Sequence, residues 1–245
     1  MQILITGAAN GIGAAIAAAA TAEGHRVVAA DCDAQALRAR WQAHPEVRCE
    51  VLDVAQASAW QALVDTLEGD GIELDVLINV AGVLRSGQAG ELRTQDIDLM
   101  LDVNVRGVIY GTNAVAAAMK PRRRGHIVNI GSTLSLYPTT GTTVYAATKL
   151  AVRGFSSAAA GDLRPHGIAV TLFGPSAVKT QLLNRHRGDS AASPTSPGAR
   201  ALDPQEVADA ILGPVLRKRP VEYFMPLGDE VMGKLGNAFP SLFMS

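Results

Sequence analysis

Gln2-Ile3-Leu4-Ile5-Thr6-Gly7-Ala8-Ala9-Asn10-Gly11-Ile12-Gly13 is the stretch that decides the fold. Ile3–Thr6 is a short apolar run with no polar alternation, the pattern of a strand buried on both faces. From Gly11 to Glu23 the sequence turns Ala-rich and reads as helix. Between them lies a glycine-rich turn spaced GxxxGxG rather than the more familiar GxGxxG. Glycines let a backbone turn tightly and approach a pyrophosphate. The helix N-terminus then offers free N–H groups and the positive end of its dipole. Gly7, Asn10, Gly11, Ile12 and Gly13 are therefore the candidate phosphate cradle, although a glycine-rich turn can also join strand to helix without any ligand.

The same alternation continues along the chain. Further apolar runs stand at Arg26–Ala30, Arg48–Leu52, Val76–Val80, His126–Ile130 and Ile168–Phe173, with a weaker seventh at Val221–Met225. Helical stretches, at Ala55–Leu67, Thr94–Met119, Val144–Arg164 and Pro204–Arg217 among others, separate them. Strand–helix alternation implies right-handed βαβ units and an α/β, Rossmann-type, doubly wound parallel sheet of about seven strands. With no internal repeat and no early break in composition, a single domain over residues 1–245 is expected. The segment His186–Arg200 is filled with small and turn-forming residues and cannot pack a core, so a lid is expected over about 181–200. The apolar tail, about 221–245, is expected to pack at a subunit interface or over the substrate cleft.

Composition narrows the function. The chain has 245 residues, 48% hydrophobic and 18% charged, which suits a compact protein with a large core. A formal net charge of -1 gives no field that favours nucleic acid or an anionic membrane. The basic cluster Lys120–Arg124 follows a helical run and reads as cations at a helix C-terminus. No apolar run reaches the length of a membrane span, and the N-terminus shows no features of a signal peptide. Two cysteines, Cys32 and Cys49, form neither a disulfide framework nor a zinc site, and a reducing, cytoplasmic setting is the simplest reading. The five histidines lack ligand spacing, so no metal is expected.

Asp31 lies 24 residues after Gly7, at the end of the second run. An acid there can accept hydrogen bonds from ribose hydroxyls and would repel a 2′-phosphate, which favours NAD over NADP. A helix N-cap is the other reading of such an aspartate, but Asp33 is equally placed for that. Farther on, Tyr145-Ala146-Ala147-Thr148-Lys149 opens a helix, and positions four apart share a face. A phenol near pKa 10 is a poor acid–base group at neutral pH, and a neighbouring cation favours the phenolate. Lowering it by about three units takes roughly 4 kcal/mol, which Lys149 together with a positive nicotinamide ring is expected to supply. Thirteen residues before Tyr145 stands Ser132, at the C-terminal end of a strand, where ligands of open α/β sheets bind.

In these motifs, which fall in order over nearly the whole chain, the sequence resembles the short-chain dehydrogenase/reductase family: Thr6-Gly7-(x)3-Gly11-Ile12-Gly13, Asp53-Val54, Asn79-Val80-Ala81-Gly82, Asn104, Ser132, Tyr145-(x)3-Lys149 and Pro175-Ser176-Ala177-Val178-Lys179-Thr180. The resemblance implies an oxidoreductase acting on a secondary alcohol or ketone. Tyr145 would be the general acid/base, Lys149 would lower its pKa and hold the nicotinamide ribose, and Ser132 would orient the carbonyl. Asn104 would hold a water that links Lys149 to solvent. Asp53 and Val54 would meet the adenine; Asn79, Ala81 and Gly82 would shape the cleft floor; Pro175, Val178 and Thr180 would stand on the nicotinamide side. The family also forms dimers or tetramers, commonly through the helices around Asn104 and Tyr145.

Two positions depart from the family. Val80 replaces a second Asn, and Ser176 replaces a Gly, which would strain the backbone if φ there were positive. For the substrate, Leu84, Leu134, Leu136, Tyr137, Leu182 and Leu183 suggest an uncharged, fairly apolar molecule, while Arg85, Arg185 or His186 offer an alternative hold on a carboxylate. The competing functions are an NADPH-dependent ketone reductase, a nucleotide-binding regulator without turnover, and a carbohydrate epimerase.

Overall fold

The computed structural model describes residues 1–180 and 200–238. Seven parallel strands form one sheet in the order β3-β2-β1-β4-β5-β6-β7. They are β1 (Gln2–Thr6), β2 (Arg26–Asp31), β3 (Arg48–Val51), β4 (Val76–Asn79), β5 (Gly125–Ile130), β6 (Ile168–Pro175) and β7 (Glu222–Met225). The order reverses between β1 and β4, which is where a doubly wound sheet opens a crevice at its carboxyl edge. Alternate strand residues feed two cores. Ile3, Ile5, Val128, Ile130 and Phe173 face α1 (Gly11–Ala22), α2 (Ala34–Trp41) and α7 (Pro204–Ala210). Leu4, Leu77, Ile127 and Val170 face α3 (Ala57–Gly69), α5 (Gly107–Met119) and α6 (Thr143–Leu163). This arrangement is the α/β doubly wound sheet that the buried apolar runs imply.

The helical pattern is more broken than its periodicity suggests. Thr94–Met119 is not one helix: α4 (Thr94–Leu101) passes through a five-residue π-helical turn, Asp102–Arg106, before α5 begins. A π turn rotates the following residues by widening the hydrogen-bond ring, and here it carries Asn104 fully into the interior. Pro204–Arg217 is interrupted likewise by a π turn at Ile211–Val215, which contains Pro214; proline cannot donate to the preceding turn and clashes with its carbonyl. A three-residue helix, α8 (Leu216–Lys218), completes that stretch. Two helices go unmarked by periodicity. One is α2, which buries only Leu37 and Trp41. The other is α9 (Leu227–Ala238), formed by part of the apolar tail.

Candidate active site

The phosphate turn sits at the topological switch. Thr6 Oγ1 accepts the N–H groups of Val80 at 3.0 Å and Ala81 at 3.1 Å, tying the ends of β1 and β4 together. Gly7 has φ 67°, and a Cβ on Gly13 would overlap the Gly7 carbonyl, so the turn tolerates only glycine at both places. Asn10 caps α1 in extended conformation without a side-chain bond. The first N–H groups of the helix, which have no intrahelical partner, are left to an anion. Thr180 lies across the cleft, its methyl 3.3 Å from where a Gly11 Cβ would stand.

Asp31 is not a helix cap. Asp33 does that work, accepting from Ala36 N at 2.9 Å. The Asp31 carboxylate instead accepts from Ala9 N at 3.1 Å and Asp33 N at 3.0 Å, so the candidate ribose acid is also wired to the phosphate turn. Asp53 is exposed and accepts from Ala55 N at 3.0 Å, whereas α3 starts later with Gln56 as its cap residue.

Beyond the turn a cavity of about 110 Å³ is lined by Ile12, Val80, Gly82, Leu84, Ser132, Leu134, Tyr145, Lys149 and residues Pro175 to Val178 with Thr180. Tyr145 and Lys149 reach it from successive turns of α6, with the Lys149 ammonium 5.5 Å from the phenol ring centroid. Lys149 Nζ donates to Ile130 O at 2.9 Å, at the end of β5. Ser132 follows two residues later, 9% exposed, its hydroxyl accepting from Leu134 N at 3.1 Å. Ser132, Tyr145 and Lys149, remote in the helical and strand patterns, thus share one wall.

The electrostatics differ from the simple expectation. Burial raises the Tyr145 phenol above its ordinary range and brings Lys149 down to about 8. With Lys149 as the neighbouring cation and no nicotinamide ring beside it, the buried phenol stays high. The Lys149 ammonium has given up water, and desolvation disfavours both charged forms.

Asn104 has both amide hydrogens and one lone pair of Oδ1 in use, which leaves the second lone pair for a water. Its Oδ1 accepts from Val83 N and its Nδ2 donates to Val83 O, both at 2.8 Å, with Thr148 Oγ1 at 3.2 Å. The π turn therefore locks the β4 loop to α6 one residue before Lys149. Asn79 is turned into a buried polar network, donating to Asn129 Oδ1 at 2.9 Å, with Asn129 Nδ2 donating to Ser156 Oγ at 3.0 Å. This network braces β4, β5 and α6 beneath the cleft.

Some of the expected substrate residues stand away from this cavity. Leu136 and Tyr137 do not line the cavity: Leu136 is buried with Val108, Val152, Leu172 and Phe224, and Tyr137 packs against that cluster. They lie one turn beyond the wall, under α9, where a Cβ on Gly233 would stand 2.7 Å from both side chains. Leu84 and Leu134 do line it. Leu182, Leu183, Arg185 and His186, with nearly all of the expected lid, lie outside the described residues. Arg85 is drawn aside by Asp96 at 3.3 Å and by the Leu84 carbonyl at 2.9 Å. Ser176 carries no strain: the described non-glycine residues with positive φ are Arg123 and Arg219, and Ser176 N donates to Met225 O at 2.8 Å.

Sequence reading misses the Ile130 carbonyl that receives Lys149, because a backbone acceptor leaves no trace in residue type. It also misses Arg153, whose guanidinium pairs with Glu222 at 2.7 Å and donates to Ser135 O at 3.3 Å. An arginine one turn after Lys149 was the available signal. Among the described residues no group of three His, Cys, Asp or Glu is placed to hold a metal, and no helix is long and apolar enough to cross a membrane.

Comparison with known proteins gives the family. A family model described as short chain dehydrogenase matches residues 1–191. The NADP-dependent 3-hydroxy acid dehydrogenase YdfG of Salmonella typhi is 36% identical over 216 residues, covering 86% of this chain and 87% of that protein. A 3-alpha-(or 20-beta)-hydroxysteroid dehydrogenase of Mycobacterium tuberculosis is 37% identical over 210 residues, covering 85% and 80%. Among solved structures, the closed form of a serine dehydrogenase complexed with NADP+ superposes with TM-score 0.82 at 31% identity, covering 92% of this chain and 94% of that one.

Proposed function

The chain belongs to the short-chain dehydrogenase family, and on that premise we propose that it is an NAD-dependent oxidoreductase acting on an uncharged, fairly apolar secondary alcohol or ketone. The observation that carries this reading is the convergence of Ser132, Tyr145 and Lys149 on one cavity beside the phosphate turn. The turn and Asp31 hold the pyrophosphate and adenosine ribose; Asp53 and Val54 take the adenine; Pro175, Val178 and Thr180 take the nicotinamide side. When bound, the dinucleotide supplies the hydride acceptor or donor and, in its oxidised form, a positive ring charge.

The residues do the rest. In alcohol oxidation Ser132 holds the substrate oxygen and Tyr145, as phenolate, accepts its proton; in ketone reduction Tyr145 returns that proton to the oxygen. Burial works against the phenolate, so positive charge gathered in the cavity, from Lys149 above all, is needed to bring it into range. Lys149, fixed on Ile130 O, keeps its ammonium near the phenol. Asn104 holds the water that passes the proton on from Lys149. Orientation and electrostatics are the protein's contribution.

NAD is favoured because the Asp31 carboxylate would face a 2′-phosphate with like charge, and its neighbours Cys32 and Asp33 supply no cation. The NADP-dependent relatives favour a second reading, an NADPH-dependent ketone reductase. A regulator without turnover fits less well, since both Tyr145 and Lys149 are retained. The whole chain is read as one dinucleotide-binding unit in a reducing, cytoplasmic setting, which suits the free thiols Cys32 and Cys49. Self-association through α4 to α6 belongs to the same reading, with Leu101 42% and Leu150 40% exposed there. A panel of hydrophobic alcohols and ketones, followed by absorbance of NADH and NADPH, tests the function. Turnover with NAD(H) on uncharged substrates supports it. Turnover with NADP(H) alone transfers the case to the second reading, and none with either sinks both.

A further inference from the structure

The chain has two tryptophans, and both spend their indole N–H on the adenosine half of the cleft. Trp41, 4% exposed at the end of α2, donates to Ala8 O at 3.1 Å. Trp60, fully buried in α3, donates to Val54 O at 3.1 Å. Ala8 belongs to the phosphate turn and Val54 to the adenine segment.

The N–H on the other side of each of these peptide groups is also held. The Ala9 N–H, in one plane with the Ala8 carbonyl, donates to Asp31 Oδ2 at 3.1 Å. The Ala55 N–H, in one plane with the Val54 carbonyl, donates to Asp53 Oδ1 at 3.0 Å. The construction occurs twice: one rigid peptide plane, an indole on its carbonyl, and an aspartate of the proposed cofactor site on its N–H. A peptide unit is planar, so fixing the carbonyl fixes the direction in which the N–H meets the carboxylate. The inward pull on the Ala8 carbonyl also keeps its negative end away from an anion seated on the turn.

We propose that Trp41 and Trp60 are positioning residues for dinucleotide binding, acting through the Ala8–Ala9 and Val54–Ala55 peptides on Asp31 and Asp53. A buried indole generally finds some acceptor, and packing alone would ask no more of it. What goes beyond packing is that both acceptors lie in cofactor loops, opposite the two carboxylates. The inference rests on the dinucleotide site proposed above and adds the residues that hold its adenosine end in register.

The test removes the donor and keeps the ring volume. Trp41→Phe and Trp60→Phe, and at each position the benzothienylalanine isostere in which sulfur replaces the N–H, are titrated calorimetrically with NADH and NADPH. Folding is checked by circular dichroism and thermal melting. Each single change is expected to weaken binding of the preferred dinucleotide by about 3- to 10-fold, the worth of one neutral hydrogen bond. The double change is expected to cost about the product of the two. In turnover the loss appears in KM for the dinucleotide, with kcat changed less than about twofold. The isosteres answer the question if a phenylalanine variant fails to fold. Affinity within error of wild type in the folded isosteres, with only the melting temperature lowered, overturns the inference. A wild-type protein that binds neither dinucleotide overturns the reading of the site, and this inference with it.

Discussion

Between about pH 7.5 and pH 5, acidification should destabilise this fold chiefly through His126. It is 2% exposed on β5, and its Nε2 lies 2.8 Å from Thr171 Oγ1. The Thr171 hydroxyl donates its only proton to the Pro220 carbonyl, so Nε2 carries the histidine proton and Nδ1 is bare. Nδ1 is buried with no hydrogen-bond partner among the described residues. A second proton would have to enter there, without an acceptor and in the field of Arg219. Burial first, and Arg219 second, lower the His126 pKa from 6.5 to about 4. The neutral form is the one the fold prefers, so this stability is fully present above about pH 6.5. It is lost as pH falls toward 4, where the unfolded chain takes up the proton and the folded chain does not. A shift of that size corresponds to about 3 kcal/mol in total, and to about 2 kcal/mol by pH 5. That is a large part of the roughly 5–15 kcal/mol typical of a domain. Urea unfolding at about pH 7.5 and pH 5, in the wild type and in His126→Gln, measures it. Surface carboxylates held low by arginines, such as Asp96 beside Arg93 and Glu206 beside Arg200, act in the same direction at lower pH. They are common to both proteins and cancel in the difference. The wild type should lose about 2 kcal/mol more than His126→Gln over this interval. Equal losses in the two proteins would refute the assignment.

Two further outcomes follow from the site geometry. Gly13→Ala drives a methyl group into the Gly7 carbonyl; NADH affinity measured by calorimetry should fall by about 100-fold or more, roughly 3 kcal/mol, while the far-ultraviolet spectrum stays that of the wild type. Arg153→Met releases the Ser135 carbonyl and leaves Glu222 unpaired beside β7; kcat should drop about 10-fold with dinucleotide affinity unchanged, and Arg153→Lys should recover part of it.

The parallel sheet was legible because its strands are buried on both faces, so that Ile3–Ile5 and Val76–Ile78 read as unbroken apolar runs. α2 was not, because a helix on the outer edge that buries only Leu37 and Trp41 has almost no periodic signal. The π turns at Asp102–Arg106 and Ile211–Val215 escape a 3.6-residue period by construction. At the site, Tyr145, Lys149 and Ser132 were visible as residue types at defined spacing. Their anchors were not: Lys149 rests on the carbonyl of Ile130 and Asn104 on the backbone of Val83, and backbone partners carry no letter of sequence. Leu136 and Tyr137 misled for a related reason. Their place beside Ser132 in the chain says nothing of α9, which covers them. The upward shift of the Tyr145 phenol depends on burial, which pairing rules at i and i+4 do not register.

The role of Tyr145 as the proton-transferring group is measured most directly in Tyr145→Phe, assayed for turnover on the best alcohol or ketone of the panel and for binding of the reduced dinucleotide. Loss of the phenol removes the proton donor and acceptor but leaves the phosphate turn, Asp31 and Lys149 in place. Turnover should fall by about 100- to 10,000-fold, the range of positioned general acid–base catalysis, with dinucleotide affinity within about threefold of wild type. Retention of a substantial share of wild-type turnover would contradict that role.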